Sequence, residues 1–173
     1  DISMLDCEVA WLTYQAGYVF ATGEAPGKAG SAHPNIVPYQ TFLCQDEKYI
    51  NIAVGSERLW PRFCKAVDRD DLSDDQRFVS NDRRVENRDV LVKELQGMFL
   101  KNSSIYWLER LTSQSIPCGA IQDVEEVLSD PQVLSREMVE KVSHPTIKDL
   151  SLTGIPIKFS ESPGSIRSHP PLL

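Results

Sequence analysis

The chain has 173 residues, 41% of them hydrophobic and 25% charged, a balance that excludes disorder, collagen and low-complexity scaffolds and is enough for one core with an appended element. Acidic side chains outnumber basic ones by 25 to 18, giving a formal net charge of −7. That excess argues against a nucleic-acid or anionic-membrane partner and favours small molecules or proteins.

The chain opens on Asp1 with no basic leader, and this start reads as a cut. In residues 3–20 apolar side chains, among them Val9, Trp11, Tyr14, Tyr18 and Phe20, fall on nearly every side of a helical wheel. This is the pattern of a helix that needs cover all round. Asp6, Glu8 and Gln15 make the stretch too polar for a membrane span. Gly23, Pro26, Gly27, Gly30 and Pro34 then turn residues 21–35 into a loop, placed here as an inter-domain linker.

YINIAV at 49–54 predicts a strand, closed by Gly55-Ser56. Trp60, Phe63, Cys64 and Val67 predict a helix over about 58–67, with Pro61 in its first turn. Residues 68–80 are acidic and broken; Leu91, Leu95, Met98 and Phe99 then stripe a helix running to about residue 100, its start capped by Asn81 or Asn87. Ser103 or Ser104 caps a further helix bearing Trp107, Leu108 and Leu111, which stops at IPCGAI. Trp60 and Trp107 read as core residues.

Asp123 and Glu126 make a capping box ahead of VEEVL, and Asp130-Pro131 starts another short helix. Residues 138–142, 149–152 and 155–159 predict short strands, and the final tract 163–173 is extended. No internal repeat is present. Cys7, Cys44, Cys64 and Cys118 form no C-x-x-C pair and sit among apolar neighbours, as reduced core residues of a cytoplasmic protein would. His33, His144 and His169 are too scattered for a zinc site, so no metal is expected.

There is no nucleophile elbow, P-loop or G-x-G-x-x-G, and the residues taken alone specify a soluble α/β domain. Several segments in order go further: DISMLD at 1–6, AHPNIVPYQTF at 32–42, SNDRRVENRDVL at 80–91, IPCGAI at 116–121, DPQVLSREMV at 130–139, GIPIKFSESP at 154–163 and the terminal PPLL. Together they resemble the class III CoA-transferases, the formyl-CoA transferase and carnitine CoA-transferase type, and the second segment is similar to the glutarate CoA-transferase subgroup.

The resemblance implies a two-domain enzyme with a Rossmann-like large domain, mostly absent here, and a smaller α+β domain of short antiparallel strands and several helices. Residues 1–22 would be the last helix of the large domain, 23–44 a linker, 45–160 the small domain and 161–173 the return linker. Catalysis in the family runs through an aspartate nucleophile and an aspartyl intermediate. That aspartate belongs to a motif upstream of DISMLD, so no catalytic residue is assigned in this chain and the chain alone is expected to be inactive. Asp6, opening an apolar helix, reads as a cap, dipole partner or buried polar contact instead.

His33, Asn35, Tyr39 and Gln40 are the implied substrate-binding residues, in a segment that resembles one following or replacing a glycine-rich closing loop. Against this stands the reading that His33 and Asn35 satisfy backbone groups in a proline-bounded turn. Arg83, Arg84 and Arg88 read as a solvated helix face, with contact to CoA phosphates as the alternative. Coenzyme A is implied as a substrate rather than a cofactor, with an acyl-CoA donor and a carboxylic acid such as glutarate or succinate. The implied protein partners are the rest of the large domain and a second, interlocked copy. An acyl-CoA racemase of the same fold, and a non-catalytic assembly module, are the competing readings.

Overall fold

The computed structural model describes residues 1–28 and 30–172; Ala29 of the expected linker and Leu173 of PPLL lie outside the described residues. The chain divides into two units, Asp1–Ala120 and Ile121–Leu173, the division falling inside the 45–160 span read above as the small domain.

The first unit opens with two helices, α1 (Met4–Ala10) and α2 (Thr13–Thr22), where one was expected over 3–20. The Trp11 amide is shared between the Cys7 and Glu8 carbonyls, tightening the last turn of α1, and Thr13 then takes φ 42°. Ser3 caps α1 by accepting from the Asp6 amide at 3.3 Å, and Gly23 ends α2 at φ 74°. No residue of either helix is buried; Phe20 is 87% exposed, and Trp11, between the two helices, 82%. The all-round cover that their sequence calls for is therefore absent among the described residues.

Strands β1 (Tyr39–Leu43), β2 (Tyr49–Ala53) and β3 (Cys118–Ala120) form an antiparallel sheet in the order β1-β2-β3. Strand β1 lies within the stretch read as linker, and β3 arises where the sequence suggested only a break, because Ile52 pairs with Cys118 and the Ala53 amide donates to the Pro117 carbonyl at 2.9 Å. As an edge strand, β1 turns the backbone groups of Tyr39, Thr41 and Leu43 outward. Four of these groups find a partner: the His33 amide donates to Tyr39 O at 2.9 Å, Ser31 Oγ accepts from Thr41 N at 3.2 Å, and the Gln96 carboxamide closes on Leu43 N (3.2 Å) and O (2.8 Å). Residues 31–33 thus run along the open edge in place of a further strand.

Helices α3 (Leu59–Ala66), α4 (Asp71–Asp74), α5 (Asn81–Glu86), α6 (Arg88–Phe99) and α7 (Ser104–Ser113) cover the sheet. The helix expected to reach residue 100 is two: Ser80 caps α5, and Asn87, the joint between them, stands at the N-cap position of α6 without a capping bond from its side chain. Phe42, Ile50 and Ile52 point from the sheet into a core shared with Trp60, Phe63, Leu91, Leu95, Phe99, Trp107 and Leu111. The Trp107 indole spends its N–H on Phe99 O at 2.9 Å. Ser103 caps α7 as expected, and Asp46 reinforces it by accepting from the Ser104 amide (2.9 Å) and hydroxyl (2.8 Å).

Cys44 and Cys64 are buried, and burial pushes their thiols up to about 11 and about 12. Cys7 is exposed and Cys118 half-buried, which corrects the reading of all four as core. Cys7 sits on the uncovered α1, and Cys118 on the outer strand of the sheet.

The second unit holds α8 (Val124–Ser129), α9 (Pro131–Ser135) and the antiparallel pair β4 (Val139–Val142) and β5 (Leu150–Thr153). The capping box of Asp123 and Glu126 forms as the sequence indicated, and Asp130 accepts from the Gln132 and Val133 amides around Pro131. Residues 155–159 do not form the third strand expected; Pro156 there has no N–H to give a ladder. Gly154 is required where it stands, since a Cβ would meet Glu137 O at 2.0 Å. No helix among the described residues is long and apolar enough to cross a membrane.

Arg84 belongs to neither reading given to it above, because its side chain is fully buried. It donates to Val37 O (2.8 Å), Phe78 O (3.0 Å) and Glu57 Oε2 (3.2 Å), and its guanidinium carbon lies 4.7 Å from the Trp60 ring centre. Burial draws its pKa down against the pull of Glu57, and an arginine stays charged regardless. Arg84→Met orphans two buried carbonyls and should cost on the order of 3 kcal/mol, whereas exposed Arg83→Met should stay within about 0.5 kcal/mol. Urea unfolding of the two variants checks this, and equal losses would contradict it.

Candidate functional site

A concavity of about 820 Å³ in the first unit lies between α2 and the segment that runs along the open edge of β1. Tyr14 and Tyr18 reach it from one face of α2, four residues apart and so one above the other. Lys28, Ser31, His33 and Asn35 line it from the segment, and Tyr39 from the start of β1.

His33 is sandwiched between two rings: Tyr39 at 5.2 Å and 16° between planes, and Tyr14 at 5.9 Å and 23°. Its Nδ1 accepts from the Asn35 amide at 3.1 Å, so the neutral ring carries its proton on Nε2. Part of the proline-bounded-turn reading is thus present, since one His33 nitrogen satisfies a backbone amide, yet the ring as a whole faces the cavity. The Ser31 hydroxyl is shared with Thr41 Oγ1 at 2.7 Å, which fixes the segment to the strand.

The backbone of this segment is held from its other side. Asn81 Nδ2 donates to Asn35 O at 2.8 Å while its Oδ1 accepts from Val37 N at 3.2 Å. Arg88 Nη2 donates to His33 O (3.0 Å) and Pro34 O (2.6 Å), and Arg84 takes Val37 O. Arg83, by contrast, pairs with Glu86 at 2.9 Å on the exposed face.

Of the four residues singled out from the sequence, His33, Asn35 and Tyr39 come together in the cavity wall, and Gln40 does not line it. Strand alternation explains the split, because Tyr39 and Gln40 are neighbours on β1 and point to opposite faces. Tyr14, Tyr18, Lys28 and Ser31 also line the cavity; the i, i+4 spacing of the two tyrosines was the one available signal for them. Asp6 is exposed in the first turn of α1 and is not part of the wall.

Electrostatically the wall contrasts with the chain around it. The lining carries a lysine, a histidine and several hydroxyl or amide donors, and no aspartate or glutamate, on a chain of net charge −7. Such a surface favours an anion with hydrogen-bonding oxygens. Among the described residues no group of three or more His, Cys, Asp or Glu side chains could hold a metal ion.

The sequence pattern that defines CoA-transferase family III matches residues 1–173. The chain belongs to CoA-transferase family III. The family III chain is 33% identical over 174 residues to succinyl-CoA:glutarate CoA-transferase of Homo sapiens, covering 100% of this chain and 39% of that protein. With acetyl-CoA:oxalate CoA-transferase of Acetobacter aceti the identity is 31%, over 92% of this chain and 40% of the relative. Among solved structures, a CAIB/BAIF family protein from Brucella suis superposes with a TM-score of 0.82 at 32% identity, covering 97% of this chain and 43% of that one. The family III chain therefore spans well under half the length of these relatives, as a small domain of a larger two-domain protein does.

The ring geometry has a direct spectroscopic consequence. At a pH where His33 is neutral, its ¹⁵N shifts should place Nδ1 in the acceptor range and Nε2 in the protonated range. The opposite tautomer would mean that Nδ1 does not hold the Asn35 amide.

Proposed function

We propose that, in a protein of the relatives' full length, this chain supplies the smaller domain of an acyl-CoA:carboxylate CoA-transferase, and that its cavity receives the acid end of the reaction. The observation that carries this reading is the wall itself: Lys28, His33 and Asn35, with no carboxylate among the lining residues, on an otherwise acidic chain. A dicarboxylate such as glutarate or succinate is the proposed acid class, supported by the relative named for succinyl-CoA and glutarate.

In this scheme the nucleophile is an aspartate outside this chain. Its carboxylate adds to the thioester carbonyl, the C–S bond breaks, and CoA departs as a thiolate, leaving a mixed anhydride of the aspartate and the donor acid. Attack of that thiolate on the aspartyl carbonyl frees the donor acid and leaves an aspartyl thioester. The acceptor carboxylate then repeats the exchange in reverse order and departs as its CoA thioester. Coenzyme A is a substrate throughout. The residues of this chain orient the carboxylate with His33 Nε2–H, the Asn35 amide and the Lys28 ammonium, and the tyrosine rings keep water from the intermediates.

The bare apolar surface of α1 and α2 supports a second part of the proposal. Burying one large side chain stabilises by roughly 1.5–3 kcal/mol, so a helix pair with this many exposed side chains favours association strongly. The remainder of the large domain and a second subunit are proposed to cover it, in an interlocked homodimer. Four unpaired cysteines suit a compartment that keeps thiols reduced, such as the cytosol.

The test is transfer by the full-length protein from an acyl-CoA to a panel of mono- and dicarboxylates, beside the 173-residue chain alone, for which no turnover is expected. Asn35→Ala and Tyr39→Phe should raise the acceptor KM by roughly tenfold, leaving the thioester KM within about twofold. Unchanged kinetics with every acceptor would remove the segment from the substrate site.

A further inference from the structure

The wall residues His33 and Asn35 stand on a backbone that α5 and α6 hold almost carbonyl by carbonyl. Of the five carbonyls from residue 33 to 37, four accept a side-chain hydrogen bond from this one helical surface: His33 O and Pro34 O from Arg88, Asn35 O from Asn81, and Val37 O from Arg84. Asn81 and Arg84 stand three residues apart on α5, neighbours on one face of that helix, and Arg88 opens α6 just past the joint. Asn81 adds the acceptor for the Val37 amide, so its carboxamide reads the chain from both directions, as a neighbouring strand would.

The three donors are not equivalent. Arg84 is fully buried and also serves Phe78 O and Glu57, so its removal damages the core. The Asn81 and Arg88 side chains are only half-buried, and the hydrogen bonds they donate go to the backbone of residues 33–35. One Arg88 nitrogen spans two consecutive carbonyls, a charge-assisted contact that fixes the direction of the chain as well as its position. On the opposite side the segment offers His33 to the two tyrosine rings and Asn35 to the cavity.

We propose that Asn81 and Arg88 are positioning residues for acceptor binding: they hold the 33–35 backbone so that His33 and Asn35 present their donors to the acid as a preformed pair. This rests on the functional reading above, and it assigns a role to SNDRRVENR that neither the core nor the exposed helix face accounts for. Preorganisation of this kind lowers the cost of ordering the wall at the moment of binding, and so acts on acceptor affinity.

The experiment uses the full-length protein with Asn81→Ala, Arg88→Ala and Arg88→Lys, and Arg83→Ala as the control. Hydrogen exchange reads the clamp without reference to activity: the amides of His33, Asn35, Ile36 and Val37 should exchange roughly tenfold faster in Asn81→Ala and Arg88→Ala, with β2 and the body of α6 unchanged. Steady-state kinetics should then show the acceptor KM raised by roughly tenfold, with kcat and the thioester KM within about twofold, partial recovery in Arg88→Lys and no change in Arg83→Ala. Unaltered exchange would overturn the clamp, and faster exchange with an unmoved acceptor KM would overturn its positioning role. Were the wild-type protein to transfer no CoA, the functional reading would fall, and the exchange data alone would decide whether Asn81 and Arg88 hold the segment.

Discussion

A guanidinium with no solvent exposure has to be satisfied on all sides, and the way Arg84 is satisfied ties the first unit together. Its donors go to the carbonyl just before β1, to the carbonyl of Phe78 ahead of α5, and to Glu57 at the approach to α3, while its flat face lies on Trp60. Three stretches of chain that are distant in sequence are thereby held to one side chain. The ion pair with Glu57 is not the stabilising part, since Glu57 is more than half exposed. What matters is that two backbone carbonyls have no water to turn to once the arginine is gone.

From that point the cavity follows. With Val37 O fixed, the preceding residues can run along the open edge of β1, where Ser31 and His33 take the place of a partner strand. An edge that would otherwise invite pairing with another chain is blunted by the segment that carries the candidate site. Away from the wall, carboxylates of the first unit pair with neighbouring arginines, Arg69 holding Asp71 at 2.8 Å and Glu94 at 2.9 Å, Arg77 holding Asp75 at 2.6 Å. Those pairs hold the Asp71 and Asp75 carboxyls below the usual carboxylate range.

Much of this was legible in the residues, and the limits of legibility are physical. Local signals worked where the deciding interaction is local: the Ser103 cap, the Asp123 and Glu126 capping box, Pro131 opening its helix, and the striping of Leu91, Leu95, Met98 and Phe99. They failed where a partner far along the chain decides. Strand β3 exists because Ile52 pairs with Cys118, a contact across more than sixty residues that a three-residue strand cannot advertise. The arginines of SNDRRVENR looked like a charged surface face because charge usually means solvent, and nothing local names the carbonyls that Arg84 and Arg88 meet. His33, Asn35 and Tyr39 came from resemblance rather than from any pattern of their own, and Gln40 was included with them by sequence adjacency, which on a strand turns a side chain to the other face.

The central claim is that an acid binds against the wall made by residues 33–39 while Asn81 and Arg88 hold that wall from behind. A crystal structure of the full-length protein with a dicarboxylate bound tests it most directly. The account predicts a carboxylate oxygen within about 3.2 Å of His33 Nε2 or the Asn35 side-chain amide, with the bonds from Arg88 to the His33 and Pro34 carbonyls intact. A dicarboxylate bound elsewhere, with this cavity empty and the 33–35 backbone released from Asn81 and Arg88, would contradict it.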